Sequence, residues 1–370
     1  MAYVISIANQ KGGVGKTTTA TSLAAALGRR GRVVLLIDLD PQGNATSGFG
    51  VDKKTVRRST FDLLVEGADP QGLACKTSEA GVFLIPSSSD LVGIETRLDE
   101  LNRHFYLRDA LEVLRGQKPE TLGASRPTVQ DDISSPETVQ ESDRKGSPVE
   151  GDLRFPRSTE IQQSAASSSL PSDAGLEFSS AKEHDALREE DTVSWPPHYV
   201  ILDCPPTLGV LTTNALVASD SLLVPVQAEF YALEGLTELL RTFDAVRRRF
   251  NPALVIEGFL TTMYDSRTRL SAEVDAELRR HYPDQVFKAV IPRSVRFGEA
   301  PSHGRSILSY DPGGRGAAAF VEIAEEVIQN DTKRARARAL FALGRSGPGH
   351  PTEPDTGSWS RLGEDFLSRD

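Results

Sequence analysis

The chain has 370 residues, with 52 acidic against 42 basic side chains and a mean hydropathy of −0.30. These values predict a soluble globular protein with one large domain or two smaller ones. The absence of any apolar run of about 18 residues argues against a membrane-spanning helix, and from the first residues we expect no export leader. Its two cysteines, Cys75 and Cys204, are too few for a disulfide framework or a cysteine-ligated cluster. We therefore expect a cytoplasmic protein without stable membrane insertion.

Short apolar runs alternate with helical patterns along most of the chain. The runs end in small or polar residues, as buried parallel strands do, and they cover Tyr3–Ala8, Val33–Ile37, Val82–Ile85, Val200–Leu202, Leu222–Val226, Leu254–Thr261 and Val286–Ile291. Helical spacing is clear at Thr18–Arg29, Tyr106–Leu114, Leu233–Arg249 and Ala272–His281. This order predicts an α/β fold whose twisted, mostly parallel sheet has helices on both faces.

The first predicted strand runs directly into a glycine-rich loop and then into a helix. The loop consists of Lys11, Gly12, Gly13, Val14, Gly15, Lys16, Thr17 and Thr18. Glycines let consecutive backbone N–H groups turn toward an anion, and the helix N-terminus adds its positive dipole end. We expect Lys16 to reach the β- and γ-phosphates and the Thr17 hydroxyl to hold Mg²⁺. The sequence therefore predicts a P-loop for ATP, although Gln10 stands where the general pattern has its first glycine.

Two more predicted strands lead into carboxylates. Asp40 follows the second strand, and Asp203 follows the run Val200–Leu202. Carboxylates at the carboxyl ends of strands, beside a phosphate loop, can orient water and organise the Mg²⁺ shell. The structural alternative for Asp40 is a turn, because Pro41 and Gly43 come directly after it.

Residues 117–194 interrupt the alternation of strands and helices. They are rich in serine and proline and contain 16 acidic against 8 basic side chains. Such a composition predicts an acidic disordered insertion, with a small folded subdomain as the alternative. The insertion divides one globular domain into residues 1–116 and 195–330. The rest of the chain is nearly neutral, with 36 acidic and 34 basic residues, which leaves room for a local basic surface.

Residues 331–370 form a tail of different composition. Lys333–Leu343 has the pattern of a short basic amphipathic helix, and glycine, proline and serine dominate after it. This helix is either a frayed terminal helix or one that binds a membrane surface or a partner. We expect the remainder of the tail to be disordered.

Several segments resemble the ParA/Soj family of chromosome and plasmid partition ATPases, members of the deviant Walker group that includes MinD. The matching segments are KGGVGKTTTA, IDLDPQGNATSGFG, ILDCPPTLGVLTTNAL, PVQAEFYALEGL, TTMYDSRT and IPRSVRFGEAPSHGRSILSYDP. They lie within residues 1–115 and 196–330, nearly the whole globular part. The resemblance implies a P-loop NTPase fold and hydrolysis of ATP to ADP and phosphate.

The resemblance also implies roles for the residues nearest the reaction. Lys11 would cross the interface of an ATP-sandwich homodimer to the phosphates bound by the other subunit. Gly12 would lie at that interface, where a side chain would obstruct the approach of two subunits. Lys16 would bind phosphate, and Asp40 would be needed for hydrolysis.

Further positions match the family's metal and base sites. By the resemblance, Thr17 would be the direct Mg²⁺ ligand, and Asp40 would lie in the same metal site. Asp203 would support the ion through water. Pro292 and its neighbours would form the loop that holds adenine.

The C-terminal third contains the best candidates for DNA contact, namely Arg267, Arg269, Arg293 and Arg296. Guanidinium groups bind backbone phosphates without reading sequence, so such binding should be non-specific and salt-dependent. The alternative is a solvated charged face, because acidic residues such as Asp265 and Glu273 are interleaved. The family match in this region favours DNA.

We therefore expect a switch ATPase that dimerises with ATP, binds nucleoid DNA and leaves it after hydrolysis. A ParB/Spo0J-type centromere-binding protein would stimulate that hydrolysis. A MinD-like regulator that cycles on membranes is the first alternative, and the basic tail helix supports it. A metal-cluster carrier is disfavoured because paired cysteines are lacking, and an inactive scaffold because the P-loop and its carboxylates are intact.

Overall fold

The computed structural model describes residues 2–116, 195–229 and 232–342. Within these residues a seven-stranded sheet forms, with the order β3-β4-β2-β5-β1-β6-β7. The strands are β1 (Tyr3–Ile7), β2 (Val34–Asp38), β3 (Cys75–Lys76), β4 (Val82–Ile85), β5 (Tyr199–Asp203), β6 (Ser221–Gln227) and β7 (Val255–Thr262). Only β3 pairs antiparallel, with β4. The predicted mostly parallel α/β fold is confirmed, whereas the predicted insertion, 117–194, lies outside the described residues.

Helices cover both faces of the sheet. They are α1 (Lys16–Arg29), α2 (Asn44–Gly48), α3 (Thr60–Val65), α4 (Pro70–Leu73), α5 (Tyr106–Leu111), α6 (Val210–Ala218), α7 (Ala232–Arg249), α8 (Arg269–His281), α9 (Arg296–Ser302), α10 (Ile307–Tyr310) and α11 (Arg315–Ala342). Along β1, Val4 belongs to the core layer that contains α6 and α7, and Ile5 to the layer that contains α1 and α11. Because the parallel strands are buried on both faces, they appear in the sequence as continuous apolar runs.

The seventh predicted strand, Val286–Ile291, is wrong. Isolated bridges, rather than a continuous ladder, join this part of the chain to the end of the sheet, Phe259 to Val286 and Tyr264 to Pro292. The Phe287 N–H donates to the Phe259 carbonyl at 3.0 Å, but the next carbonyl on the same edge of β7, that of Thr261, accepts from Ile291 at 2.8 Å, four residues after Phe287. A regular parallel ladder would advance by two residues on both chains. The seventh strand of the described sheet is instead the two-residue β3, which is too short to produce an apolar run.

The last helix, α11, passes through the boundary predicted at residue 330. The basic segment that begins at Lys333 is helical, but it forms the final turns of α11 rather than a separate helix. Residues 343–370 lie outside the described part of the chain.

A β-bulge connects α11 to the sheet. Glu257 is the extra residue of β7, since Leu222 pairs with Ile256 and Leu223 with Gly258. Its buried carboxylate accepts hydrogen bonds from the Tyr3 hydroxyl at 3.1 Å and the Asn330 amide at 3.3 Å, and forms an ion pair with Arg334. Bulges commonly redirect a side chain in this way. The fold therefore includes α11 at least as far as Arg334.

Candidate active site

The P-loop lies between β1 and α1, at the carboxyl edge of the sheet. Gly13 and Gly15 have φ angles of 74° and 91°, in the left-handed region that glycine adopts without strain. No side chain caps the N-terminus of α1, and its first turn contains no acidic residue. The first N–H groups of α1 therefore remain available to an anion.

Lys16 lies at the start of α1 and is 7% exposed. Its ammonium group donates a hydrogen bond to the backbone carbonyl of Lys11 at 3.0 Å. Burial lowers the pKa of Lys16, and the neighbouring carboxylates of Asp203 and Asp40 oppose that shift. The structure thus brings together the predicted phosphate lysine and both predicted carboxylates.

Lys11 and Gly12 form the outer side of the loop. The ammonium group of Lys11 lies 3.7 Å from the Glu229 carboxylate, which follows β6, and its side chain is 32% exposed. Gly12 is not in the left-handed region, and a Cβ added there would meet no atom within 4 Å. Neither the backbone conformation nor the packing of this chain therefore requires glycine at position 12.

Buried carboxylates occupy the last positions of two adjacent strands. Asp38 on β2 pairs in register with Asp203 on β5. Burial raises the pKa of Asp38 to about 6. The Asp38 carboxylate accepts hydrogen bonds from the backbone N–H of Thr46 at 2.8 Å and its hydroxyl at 2.7 Å. Asp38 thereby attaches α2 to the end of β2.

Both carboxylate oxygens of Asp203 are buried without a hydrogen-bond partner. Burial raises the pKa of this group well above its usual range, and the charge of Asp38 adds to the effect. Buried polar atoms are normally satisfied, so these oxygens indicate a missing cationic or water partner. Thr17 lies beside them. A Mg²⁺ ion bound to the Thr17 hydroxyl, with Asp203 holding one of its water ligands, fits this arrangement.

Asp40 takes part in a tight turn as well as lying near Lys16. Its carboxylate accepts a hydrogen bond from the backbone N–H of Gln42 at 2.9 Å, and its carbonyl accepts one from the Ser87 hydroxyl at 2.6 Å. The turn alternative therefore describes the local backbone, and it also fixes the carboxylate at the phosphate end of the sheet. An anchored carboxylate in this place can orient water.

Pro292 lines a cavity of about 570 Å³ together with Tyr264, Val290 and other residues. Met263, with φ of 52°, is the one non-glycine residue in the left-handed region among the residues described. Met263 lies between Tyr264 and Thr262. The hydroxyl of Thr262 donates a hydrogen bond to the backbone carbonyl of Val14 in the P-loop at 2.8 Å. The predicted base loop is thus connected to the P-loop through the end of β7, while adenine binding there stays a prediction.

The four predicted DNA-contact arginines lie beyond the end of β7 and around α9. Arg267 and Arg293 line the same cavity as Pro292, whereas Arg269 and Arg296 are not part of its lining. Acidic neighbours bind three of them: Arg267 pairs with Asp265, Arg269 with Glu273 and Arg296 with Glu299. The side chains of Arg267 and Arg269 are nevertheless 86% and 92% exposed. A phosphate could therefore reach them.

Comparisons with known proteins identify the family. Residues 5–307 match the CobQ/CobB/MinD/ParA nucleotide binding domain. The chromosome partitioning protein ParA of Caulobacter vibrioides is 38% identical over 332 residues, which cover 90% of this chain and 96% of that protein. The chromosome-partitioning ATPase Soj of Thermus thermophilus is 39% identical over 324 residues, 88% of this chain and 94% of the relative. The chain belongs to the ParA/Soj family.

A solved structure supports the nucleotide and metal. Cobyrinic acid a,c-diamide synthase from Mycobacterium smegmatis, determined with bound ADP and magnesium, has a TM-score of 0.59 and is 28% identical; the match covers 95% of this chain and 99% of that one. As a member of the ParA/Soj family, this protein is a P-loop ATPase whose cofactors are ATP and Mg²⁺. The predicted recognition, activity and cofactors are confirmed.

Sequence reasoning missed the residues that hold the P-loop from outside it. Thr262 bonds the loop through Val14, Glu229 pairs with Lys11, and Asn9 bonds both the loop and β6. Thr262 and Glu229 lie in segments that carry the family resemblance, but their contacts depend on the order of strands in the sheet. Asn9 offers a weak signal, as a polar residue directly after a buried strand.

Proposed function

We propose that this ATPase acts as a nucleotide-controlled switch in DNA partition. ATP joins two subunits face to face, the dimer binds DNA without sequence preference, and hydrolysis releases it. A centromere-bound protein of the ParB/Spo0J type would stimulate the hydrolysis. The cycle would take place in the cytoplasm at the nucleoid. The names of the Caulobacter and Thermus relatives support partition as the process.

The observation that carries the proposal is the open space at Gly12. A side chain at this position would touch nothing in its own chain within 4 Å, and the backbone does not need glycine. An external surface that approaches the loop closely would account for a residue without a side chain at this position. In the proposed dimer that surface is the second subunit. Lys11, beside Gly12 and partly exposed, can then extend toward the phosphates of the other subunit.

The surface near Arg267 and Arg293 supports the DNA step. These guanidinium groups line one cavity, and Arg267 keeps most of its surface exposed while paired with Asp265. DNA phosphates would compete with the carboxylate for the same guanidinium. Because an exposed ion pair contributes little to stability, that exchange costs little. Binding by such contacts should weaken steeply with salt.

The test is a DNA-binding titration of the full-length chain with non-specific duplex DNA. It is carried out with Mg²⁺ and ATP, with Mg²⁺ and ADP, and without nucleotide, each at several salt concentrations. We expect tight DNA binding only in the presence of Mg²⁺ and ATP. The affinity for DNA should fall as the salt concentration rises. Equal binding in the three nucleotide states would overturn the switch, and the absence of DNA binding in all of them would overturn the DNA partner.

A MinD-like membrane cycle is tested with the same protein and anionic liposomes in place of DNA. Among the residues described, no helix is both long and apolar enough to cross a membrane. ATP-dependent pelleting with liposomes but no binding to DNA would favour the membrane cycle over partition.

A further inference from the structure

Asn9 lies between β1 and the P-loop and is 3% exposed. Its side-chain amide N–H₂ donates a hydrogen bond to the backbone carbonyl of Pro225 at 2.7 Å. Its amide oxygen accepts a hydrogen bond from the backbone N–H of Lys11 at 3.0 Å. Both polar groups of the buried Asn9 amide are thus hydrogen-bonded, and they connect strand β6 to Lys11.

The position of Pro225 explains why β6 offers this contact. The ladder between β1 and β6 extends over Ser221 to Leu223, whereas β7 pairs with β6 along its whole length. Beyond Leu223 the chain of β1 turns into the P-loop, so this edge of β6 has no strand beside it. Proline is tolerated at position 225, because no neighbouring strand on this edge would accept a hydrogen bond from a backbone N–H there. Its carbonyl still needs a donor, which Asn9 supplies.

Lys11 is therefore held at both of its backbone polar groups. Asn9 accepts from its N–H, and the ammonium group of Lys16 donates to its carbonyl at 3.0 Å. Lys16 is also the predicted phosphate lysine, and its ammonium group has three N–H donors to share between the Lys11 carbonyl and a phosphate. Asn9 is the side chain that connects the Lys11 backbone to strand β6.

We propose that Asn9 is a positioning residue for Lys11, which holds the backbone of that lysine in place while its side chain reaches the other subunit. The inference rests on the proposed ATP-dependent dimer. Asn9 would not contact the phosphates. Because it acts through Lys11, its loss should affect dimerisation and turnover far more than the binding of ATP to one subunit.

The test compares Asn9→Ala with Asn251→Ala in the full-length protein. Asn251 is a matched control, because its side-chain amide also bonds backbone carbonyls, those of Leu216, Val217 and Ser219, away from the P-loop. For each variant we would measure the Kd for ATP, dimerisation by light scattering, and kcat and KM. We expect Asn9→Ala to keep its ATP affinity but to lose about tenfold or more in kcat and in dimerisation, since small misplacements of a reacting group have effects of this size.

Asn9→Asp keeps the proposal testable if the alanine variant does not fold. The carboxylate has the shape of the amide and still accepts the hydrogen bond from Lys11, but it cannot donate to Pro225. Its negative charge near the phosphate loop should raise KM, and kcat should fall as in Asn9→Ala, because Lys11 is no longer connected to β6. A kcat within about threefold of wild type in Asn9→Asp would contradict the proposed hold on Lys11.

The outcomes separate this inference from the function on which it rests. If wild type itself stays monomeric with ATP, the dimer proposal fails whatever Asn9 does. If wild type dimerises and Asn9→Ala dimerises and turns over like Asn251→Ala, then Asn9 is only a structural residue. That result would overturn the inference and leave the dimer intact.

Discussion

Replacing Arg334 with alanine tests whether α11 belongs to the folded core beyond residue 330. The side chain of Glu257 is completely buried, and that of Arg334 is 26% exposed. Without the guanidinium, Glu257 would keep its hydrogen bonds from Tyr3 and Asn330 but lose its countercharge. Removing one partner of a buried ion pair costs about 3–5 kcal/mol. Because Arg334 is partly solvated, we expect the lower end, about 3 kcal/mol of unfolding free energy.

For a domain of this size, about 3 kcal/mol corresponds to a fall in Tm of roughly 6–12 °C. Thermal unfolding followed by circular dichroism at neutral pH measures it. Arg336→Ala is the control, because this exposed arginine lies two residues further along the same helix and should change Tm little. Equal Tm values for the two variants would refute the reasoning. The double variant Glu257→Gln, Arg334→Met should recover much of the loss, since it removes both charges.

Other predictions concern the reaction and the DNA surface. Lys16→Ala should abolish productive ATP binding, measured by calorimetry, because the phosphates lose their countercharge; near-normal affinity would contradict the P-loop assignment. Asp40→Ala should bind ATP but hydrolyse it slowly and remain dimeric by light scattering, and rapid turnover by a monomer would exclude this role. Arg267→Glu should weaken DNA binding and lower the salt slope by about 0.9 per lost phosphate contact. Arg30→Glu is the control, because Arg30 is also paired with a carboxylate but lies at the opposite end of the sheet. This variant should leave the DNA affinity and the salt slope unchanged. Asp38→Asn should remove a pH-dependent loss of stability: since the pKa of Asp38 is about 6 against a usual 3.8, the native state keeps a proton that the unfolded chain loses as pH rises between those values. Urea unfolding should therefore show the variant gaining stability over wild type as the pH rises from 4 to 7, and a difference that does not change with pH would contradict the burial argument.

The parallel strands could be predicted because burial on both faces leaves a continuous apolar run. The same signal failed at Val286–Ile291, a mostly apolar run whose backbone hydrogen bonds to β7 do not advance in register. Apolar sequence reports burial, whereas strand pairing depends on where the backbone hydrogen bonds go. The two-residue β3 could not be found, since Cys75 and Lys76 show no pattern of any period.

The P-loop and the carboxylates at its edge could be predicted because their chemistry is local in the sequence. Glycines, Lys16 and Thr17 lie in one short segment, and Asp40 and Asp203 each follow an apolar run. The contacts of Asn9 could not be predicted in the same way, because its partner in β6 is 216 residues away. That contact exists only once β1 and β6 are neighbours in the sheet.

The interleaved acidic residues near the arginines form the ion pairs that their spacing allows, as Arg269 does with Glu273 one helical turn later. The sequence could not decide between a solvated face and a DNA surface, because both use exposed, partly paired guanidinium groups. Binding experiments, rather than the number of charges, must therefore decide the role of this surface.

The bulge at Glu257 allows the two ends of β7 to contact different parts of the molecule, α11 at one end and the P-loop at the other. On the regular ladder that follows it, Leu223 pairs with Gly258 and Gln227 with Thr262. A strand without a bulge that gained one residue would turn every later side chain to the opposite face. Here the extra residue is confined to the bulge, so β7 can bind α11 at one end while Thr262 still faces the P-loop at the other. Deletion of Glu257 should therefore free the last turns of α11, which contain Asn330 and Arg334, without altering which residues β7 presents to the P-loop.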